Sequence, residues 1–141
     1  MSTFLDITDY NASIHAEILT AITRDDNAAV ELAEDMAIED MKGYMGQLYD
    51  CDAIFSATGE ARNKLVMMFA IDITLYHLHS ANNPQRFSQT RKDRYDRAIS
   101  WLQMVQSGKV VPNGLPLKQD SSGTPISTFS ITSNRKRGTI Y

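Results

Sequence analysis

Apolar side chains recur at steps of three and four along most of the chain up to residue 107, which is the spacing of one face of an α-helix. The first segment with this spacing, residues 6–23, mixes turn-forming residues with isoleucines four positions apart, namely Ile14, Ile18 and Ile22. It predicts one short helix or two. The first segment therefore indicates a helical protein.

A long helix is predicted for residues 28–49, with Asp26 or Asn27 as its N-cap. A continuous apolar stripe along it is expected to face the core and consists of Val30, Ala33, Ala37, Met41, Tyr44 and Leu48. Leu32 and Met36 form a second apolar line on another side, which is more apolar surface than a two-layer packing needs. Either this helix is enclosed within its own domain, or the second line faces another subunit.

A third helix is predicted for residues 60–80, after a loop over residues 51–59 that Gly59 ends. This helix is apolar nearly all round, so we expect it at the centre of a bundle or buried in an assembly. Its predicted core side chains are Leu65, Val66, Phe69, Ile73 and Tyr76. Pro84 follows soon after and ends the helix, because the residue before a proline avoids helical geometry.

A fourth helix is predicted for residues 88–107, with Gly108 as its C-terminal cap. Its core side chains are predicted to be Tyr95, Ala98, Trp101, Leu102 and Val105. The four segments together predict an all-α fold, a small bundle of four to five helices with an extended C-terminal arm.

The last part of the chain, residues 118–141, is rich in Ser, Thr and Gly and has few apolar residues. Such a segment cannot build a core of its own. We therefore predict a helical domain over residues 1–117 and an extended arm over residues 118–141 that partner chains order. The arm is expected to dock through Phe129, Ile131, Arg135, Lys136, Arg137 and Tyr141.

The two parts of the chain carry opposite charge, although the formal net charge of all 141 residues is only −3. Residues 1–60 hold 13 acidic side chains and two basic ones, a net charge of −11, whereas residues 61–141 hold four acidic and 12 basic ones, a net charge of +8. Such copies can pack head to tail into rings. The predicted contact joins Glu31, Asp35 and Glu39 of one copy to Arg91, Lys92, Arg94 and Arg97 of the next.

The residue types that support catalysis or ligand binding are not grouped in recognisable motifs. Asp72 and His79 lie seven positions apart on one helix face and His77 points elsewhere, so they supply two ligands where zinc needs three or four. Cys51 lies between two acids that raise the pKa of its thiol, and we expect it to be a bystander. No catalytic residue, metal or cofactor is expected, and the chain is not expected to be an enzyme.

Membrane insertion and secretion are not expected either. The most apolar stretch, residues 65–71, is far shorter than the ~20 residues of a membrane span. The first ten residues lack the basic and apolar regions of a secretion signal. Synthesis in a reducing cytoplasm is therefore expected.

Three segments resemble a known family. They are Thr-Gly-Glu-Ala-Arg-Asn-Lys-Leu at residues 58–65, Arg-Tyr-Asp-Arg-Ala-Ile-Ser-Trp-Leu at 94–102, and Gly-Lys-Val-Val-Pro at 108–112. They resemble the Mu-type family of tailed-phage and prophage proteins assigned as head–tail connectors. This resemblance implies an all-helical adaptor that forms a ring, commonly of twelve copies, between the portal and the tail-side neck or tail-completion proteins. DNA passes through the channel of such a ring without sequence-specific binding.

The leading hypothesis is thus a non-enzymatic structural protein of the virion neck, made in the bacterial host cytoplasm. The alternative is a small helical DNA-binding or regulatory protein that binds phosphates through its basic fourth helix and tail. Asp93 and Asp96 lie within the basic cluster of that helix and weaken its affinity for phosphate, so the connector is favoured.

Overall fold

The computed structural model of the chain describes residues 3–24, 26–82 and 88–126. Most of these residues belong to the helices α1 (Ala16–Thr23), α2 (Asn27–Met45), α3 (Cys51–Ser56), α4 (Lys64–Asn82) and α5 (Gln89–Gln106). Two 3₁₀ helices, Ile7–Ala12 and Gly59–Ala61, precede α1 and α4. The described ranges contain isolated β-bridges and no strand. The predicted small all-α bundle is confirmed.

Helix α2 begins where the cap residues predict. The carboxylate of Asp26 accepts hydrogen bonds from the backbone nitrogens of Ala28, at 3.0 Å, and Ala29, at 3.4 Å, which satisfies two donors that the first turn leaves unpaired. The helix ends at Met45, four residues before the predicted end. Tyr49 instead forms an antiparallel bridge to Leu117.

The loop predicted for residues 51–59 is wrong in its first part, because α3 occupies Cys51–Ser56. The carboxylate of Asp50 accepts a hydrogen bond from the backbone nitrogen of Ala53 at 3.1 Å and caps the helix. Ile54 and Phe55 are buried and hold this short helix against the rest of the bundle. The ring of Phe55 meets that of Phe4 edge to face, with 5.2 Å between centroids.

Helix α4 lies at the centre of the bundle and packs against α1, α2 and α5. All seven residues from 69 to 75 are buried, so the middle of the helix is enclosed on every side. Leu65, predicted to be a core residue, is instead 40% exposed. The reason is its place in the first turn, which precedes the enclosed part of the helix.

The other predicted core positions line the contacts among α2, α4 and α5. Eleven of them are buried, namely Val30, Ala33, Ala37, Met41, Val66, Phe69, Ile73, Ala98, Trp101, Leu102 and Val105. Four are partly buried: Tyr44, Leu48 and Tyr95 pack against this core, and Tyr76 stacks on Tyr95. The rings of Tyr76 and Tyr95 stack with 3.8 Å between centroids and join α4 to α5.

The chain after α5 returns to the C-terminal end of α2. The backbone nitrogen of Asp50 donates to the carbonyl of Pro116, and that of Lys118 donates to the carbonyl of Leu48, both at 2.9 Å. Residues 118–126 of the predicted arm thus begin beside α2, while the predicted domain boundary at residue 117 stays a prediction. Six docking residues predicted for the arm lie outside the described residues, namely Phe129, Ile131, Arg135, Lys136, Arg137 and Tyr141.

Candidate subunit-interaction surface

Three arginines of α5 point towards α4 and α1, because positions three apart share a helix face. Arg94 Nη1 lies 3.6 Å from Asp72 Oδ1, and Arg97 Nη2 lies 3.6 Å from Asp72 Oδ2. Arg91 Nη2 donates a hydrogen bond of 2.6 Å to the carbonyl of Ser13, just before α1. The fourth base, Lys92, forms an ion pair with Asp96 one turn along α5, with 2.6 Å between Nζ and Oδ2.

The buried carboxylate at the centre of this cluster is only 2% exposed. Burial raises the pKa of Asp72, and the positive charges of Arg94, Arg97 and Arg91 oppose the shift without reversing it. Burial also lowers the pKa of Arg91. The four predicted interface bases thus have partners within their own chain, and their contact with a second copy stays a prediction.

The candidate metal ligands of α4 have separate surroundings. Asp72 faces the arginines of α5, whereas His77 Nε2 lies 3.4 Å from Asp40 Oδ2 of α2. Burial, followed by the charge of Arg91, lowers the pKa of His79. Within residues 3–24, 26–82 and 88–126, no group of three or more ligand-type side chains is placed to hold a metal ion.

The three acids predicted at the interface lie on α2, on the solvent side of its core stripe. Glu31 and Asp35 are partly exposed, and Glu39 is exposed and forms an ion pair of 3.0 Å with Lys42. Sequence reasoning missed a fourth acid, Glu34, which is buried. Glu34 follows Val30 by four residues and precedes Ala37 by three, so it lies on the core stripe of α2. This spacing could have predicted that Glu34 is buried.

The surroundings of Glu34 explain how an acid fits there. The hydroxyl of Tyr10, itself fully buried, donates a hydrogen bond of 2.6 Å to Glu34 Oε1. Burial raises the pKa of Glu34, and this hydrogen bond opposes the shift. The same burial, together with the charge of Glu34, raises the pKa of Tyr10. This pair joins the N-terminal 3₁₀ helix to α2 and serves the fold.

The second apolar line of α2 is exposed to solvent. Leu32 is 63% exposed and Met36 is 48% exposed, and they lie one turn apart on α2. Beside them runs a groove of about 410 Å³, whose other lining residues are Ala29, Ala33, His77, Leu78, Ser80, Ala81 and Asn82. Leu32 and Met36 are referred to below as the α2 ridge. Adjacent exposed apolar residues next to a groove are typical of an interaction surface.

Two further observations concern the single cysteine and membrane insertion. Cys51 is half-buried, and burial raises the pKa of its thiol. Among the described helices, none is both long and apolar enough to cross a membrane.

These features define a class: a small all-α bundle whose buried charges serve the fold and whose exposed apolar ridge suits contact with another protein. The chain belongs to the family of bacteriophage Mu Gp36, whose family model matches residues 5–127. It is therefore a Mu-type phage protein. All five α-helices lie within the matched residues. No curated protein and no solved structure is significantly similar to the chain.

Proposed function

We propose that the chain is a structural virion protein, a head-to-tail connector (adaptor) subunit. In this proposal its copies form a ring between the portal protein and the tail-side neck proteins, around the channel for DNA. The observation that carries the proposal is the exposed α2 ridge in a chain of a phage family. The twelve-copy number and the neck location come from the resemblance of the sequence to connector proteins, and both are part of the proposal.

The distribution of apolar surface supports self-association. Helix α4 is already enclosed by α1, α2 and α5, so the bundle covers its own centre. Leu32 and Met36 lie outside the buried core, and both expose apolar area to solvent. Apolar area left in water becomes favourable when another surface covers it, at about 25 cal/mol per Å². An exposed apolar ridge is therefore expected in a subunit whose neighbours cover it.

The arrangement of charged groups supports a role without catalysis. The buried acids Asp72 and Glu34 are held in place by α5 arginines and by Tyr10, and each lies inside the bundle. General acid–base catalysis needs a titratable group within reach of a substrate. The proposed subunit acts by binding its neighbours, with no cofactor.

The alternative, a DNA-binding protein, draws no support from the basic helix. Three α5 arginines face Asp72 and Ser13, and Lys92 pairs with Asp96. Phosphate binding would have to compete with these contacts. The basic residues of the tail lie outside the described residues and favour neither function.

Negative-stain electron microscopy of the full chain mixed with its portal protein tests the proposal. We expect rings on the portal, and we expect Leu32→Asp to prevent them because it places a charge in the apolar contact. The control is Val111→Asp, at a position that is 76% exposed and lies far along the chain from α2. Absence of rings, combined with steeply salt-dependent binding of the chain to duplex DNA, would contradict the connector and support the alternative.

A further inference from the structure

The α2 ridge combines an apolar centre with an acidic border. Glu39 and Asp40 lie one turn after Met36 on the same exposed side of the helix, and Asp35 lies beside them. Gly43 continues this side by another turn, and the space where its Cβ would lie is open. A surface that fits the ridge must therefore supply apolar side chains for the centre and positive charges for the border.

Most basic side chains of the described residues are already engaged within the chain. Those with an acidic partner in an ion pair are Lys42, Arg62, Lys64, Lys92, Arg94 and Arg97. Arg91 and Lys118 donate to the backbone carbonyls of Ser13 and Gly46. These contacts make the α5 bases less available to a second copy, although Lys92, Arg94 and Arg97 keep much of their side chains exposed.

The sequence offers another source in residues 127–141. This segment contains three consecutive bases, Arg135-Lys136-Arg137, and no acid. It also contains four large apolar residues, namely Phe129, Ile131, Ile140 and Tyr141. Its composition complements the ridge and its net acidic border, because it combines apolar anchors with positive charge. We infer that residues 127–141 of one copy bind the α2 ridge of a second copy.

The point at which this segment leaves the bundle makes the contact reachable. The backbone nitrogen of Ile126 donates to the carbonyl of Lys118, and Lys118 is bonded in turn to Leu48, just past the end of α2. Fifteen residues span roughly 50 Å when extended. A helix of the length of α2 is only about 28 Å long, so the segment has the length to reach an adjacent molecule.

The choice of a second copy, as opposed to the ridge of the same chain, rests on the proposed function, in which copies are joined in a ring. A segment that crosses to the next copy gives a head-to-tail contact, and such contacts close into rings. The charged border also makes the contact sensitive to salt, because exposed ion pairs are screened at high ionic strength.

Charge reversal on the full chain tests this inference by sedimentation velocity at several salt concentrations. The ridge variant carries Asp35→Lys and Glu39→Lys, and the segment variant carries Arg135→Glu, Lys136→Glu and Arg137→Glu. We expect the wild-type chain to self-associate less as salt rises, and each variant alone to associate at least roughly tenfold more weakly. An equimolar mixture of the two variants is expected to regain association, since each reversed ridge then meets a reversed segment.

A matched control reverses two exposed acids on elements other than α2, Glu60→Lys and Asp93→Lys, and is expected to associate like the wild type. Variants that associate like the wild type would overturn the inference, as would a mixture that stays as weak as its components. If those variants still form rings on the portal, the connector proposal stands without this contact. A wild-type chain that does not associate at any concentration, alone or with the portal, would overturn both.

Discussion

The hydrogen bond from Tyr10 to Glu34 provides a measurable test of how this fold tolerates a buried acid. It joins residues 24 positions apart, at 2.6 Å, with both side chains buried. Tyr10→Phe removes the donor and keeps the ring that fills the core. Glu34 then remains buried without the hydroxyl that stabilises its charged form.

The expected cost follows from the kind of hydrogen bond that is lost. A hydrogen bond to a charged group contributes about 1.5–3 kcal/mol to the free energy of unfolding, because the buried partner loses its compensation for desolvation. In a chain of 141 residues, this loss lowers the melting temperature by roughly 5–15 °C. The cost is expected to shrink as pH falls through the raised pKa of Glu34, because the carboxyl group is then protonated and no longer a charged acceptor.

Urea unfolding followed by the fluorescence of Trp101, which packs 4.8 Å from the ring of Phe69, measures this cost. The control is Tyr49→Phe, because Tyr49 is also buried and no hydrogen bond between its hydroxyl and a buried acid is recorded among the described residues. If Tyr10→Phe and Tyr49→Phe shift the unfolding free energy equally at pH 7, the hydroxyl of Tyr10 does not stabilise Glu34 and the reasoning fails.

Four further substitutions test the buried charges and the core. Because burial raises the folded-state pKa of Glu34, the wild type loses stability as pH rises from the ordinary carboxyl range through that raised pKa. Glu34→Gln should therefore gain stability relative to the wild type over the same rise in pH, as measured by thermal melts. Asp72→Asn should likewise gain stability relative to the wild type as pH rises, because burial raises the pKa of Asp72. If Asp72→Asn instead lowers the free energy of unfolding by more than about 3 kcal/mol at pH 7, the attraction to the arginines outweighs the cost of burying the charge. Phe69→Ala should cost about 3–5 kcal/mol in urea unfolding, whereas Leu65→Ala should cost below about 1 kcal/mol because Leu65 is exposed; equal costs would contradict the enclosed centre of α4.

The long helices could be predicted from the sequence because each presents several turns of periodic apolar residues. The core stripe of α2 contains enough positions to define a face, and the Asp26 cap defines its start. Helix α3 has only six residues, fewer than two turns, so no period can be recognised in it. Its sequence signal was the cap residue Asp50, which also suits a turn.

The start of α4 was misplaced for a different reason. Thr58 and Gly59 mark the end of a loop, but the helix begins only at Lys64 because Arg62 has extended backbone geometry. The side chain of Arg62 is held by the carbonyl of Phe4 at 2.8 Å and by the carboxylate of Asp9. Both partners lie more than 50 residues away in sequence, so local patterns carry no trace of them.

The opposite charges of the two sequence halves led to a contact between copies, and the structure changes which residues can supply it. Several opposite charges already meet inside one chain, since Asp9 pairs with Arg62 and Asp72 lies among the α5 arginines. The amphipathic pattern of α5 shows which side of the helix is apolar. It does not show that Asp72, a buried acid of α4, attracts Arg94 and Arg97 towards the bundle. The two short segments that keep a strong excess of one charge are the acidic border of the α2 ridge, where Glu39 also pairs with Lys42, and the basic run at residues 135–137. The contact first predicted between whole halves of the chain is thus reduced to one between two short segments. The mixture of charge-reversal variants tests that contact, because association returns only if these two segments bind each other.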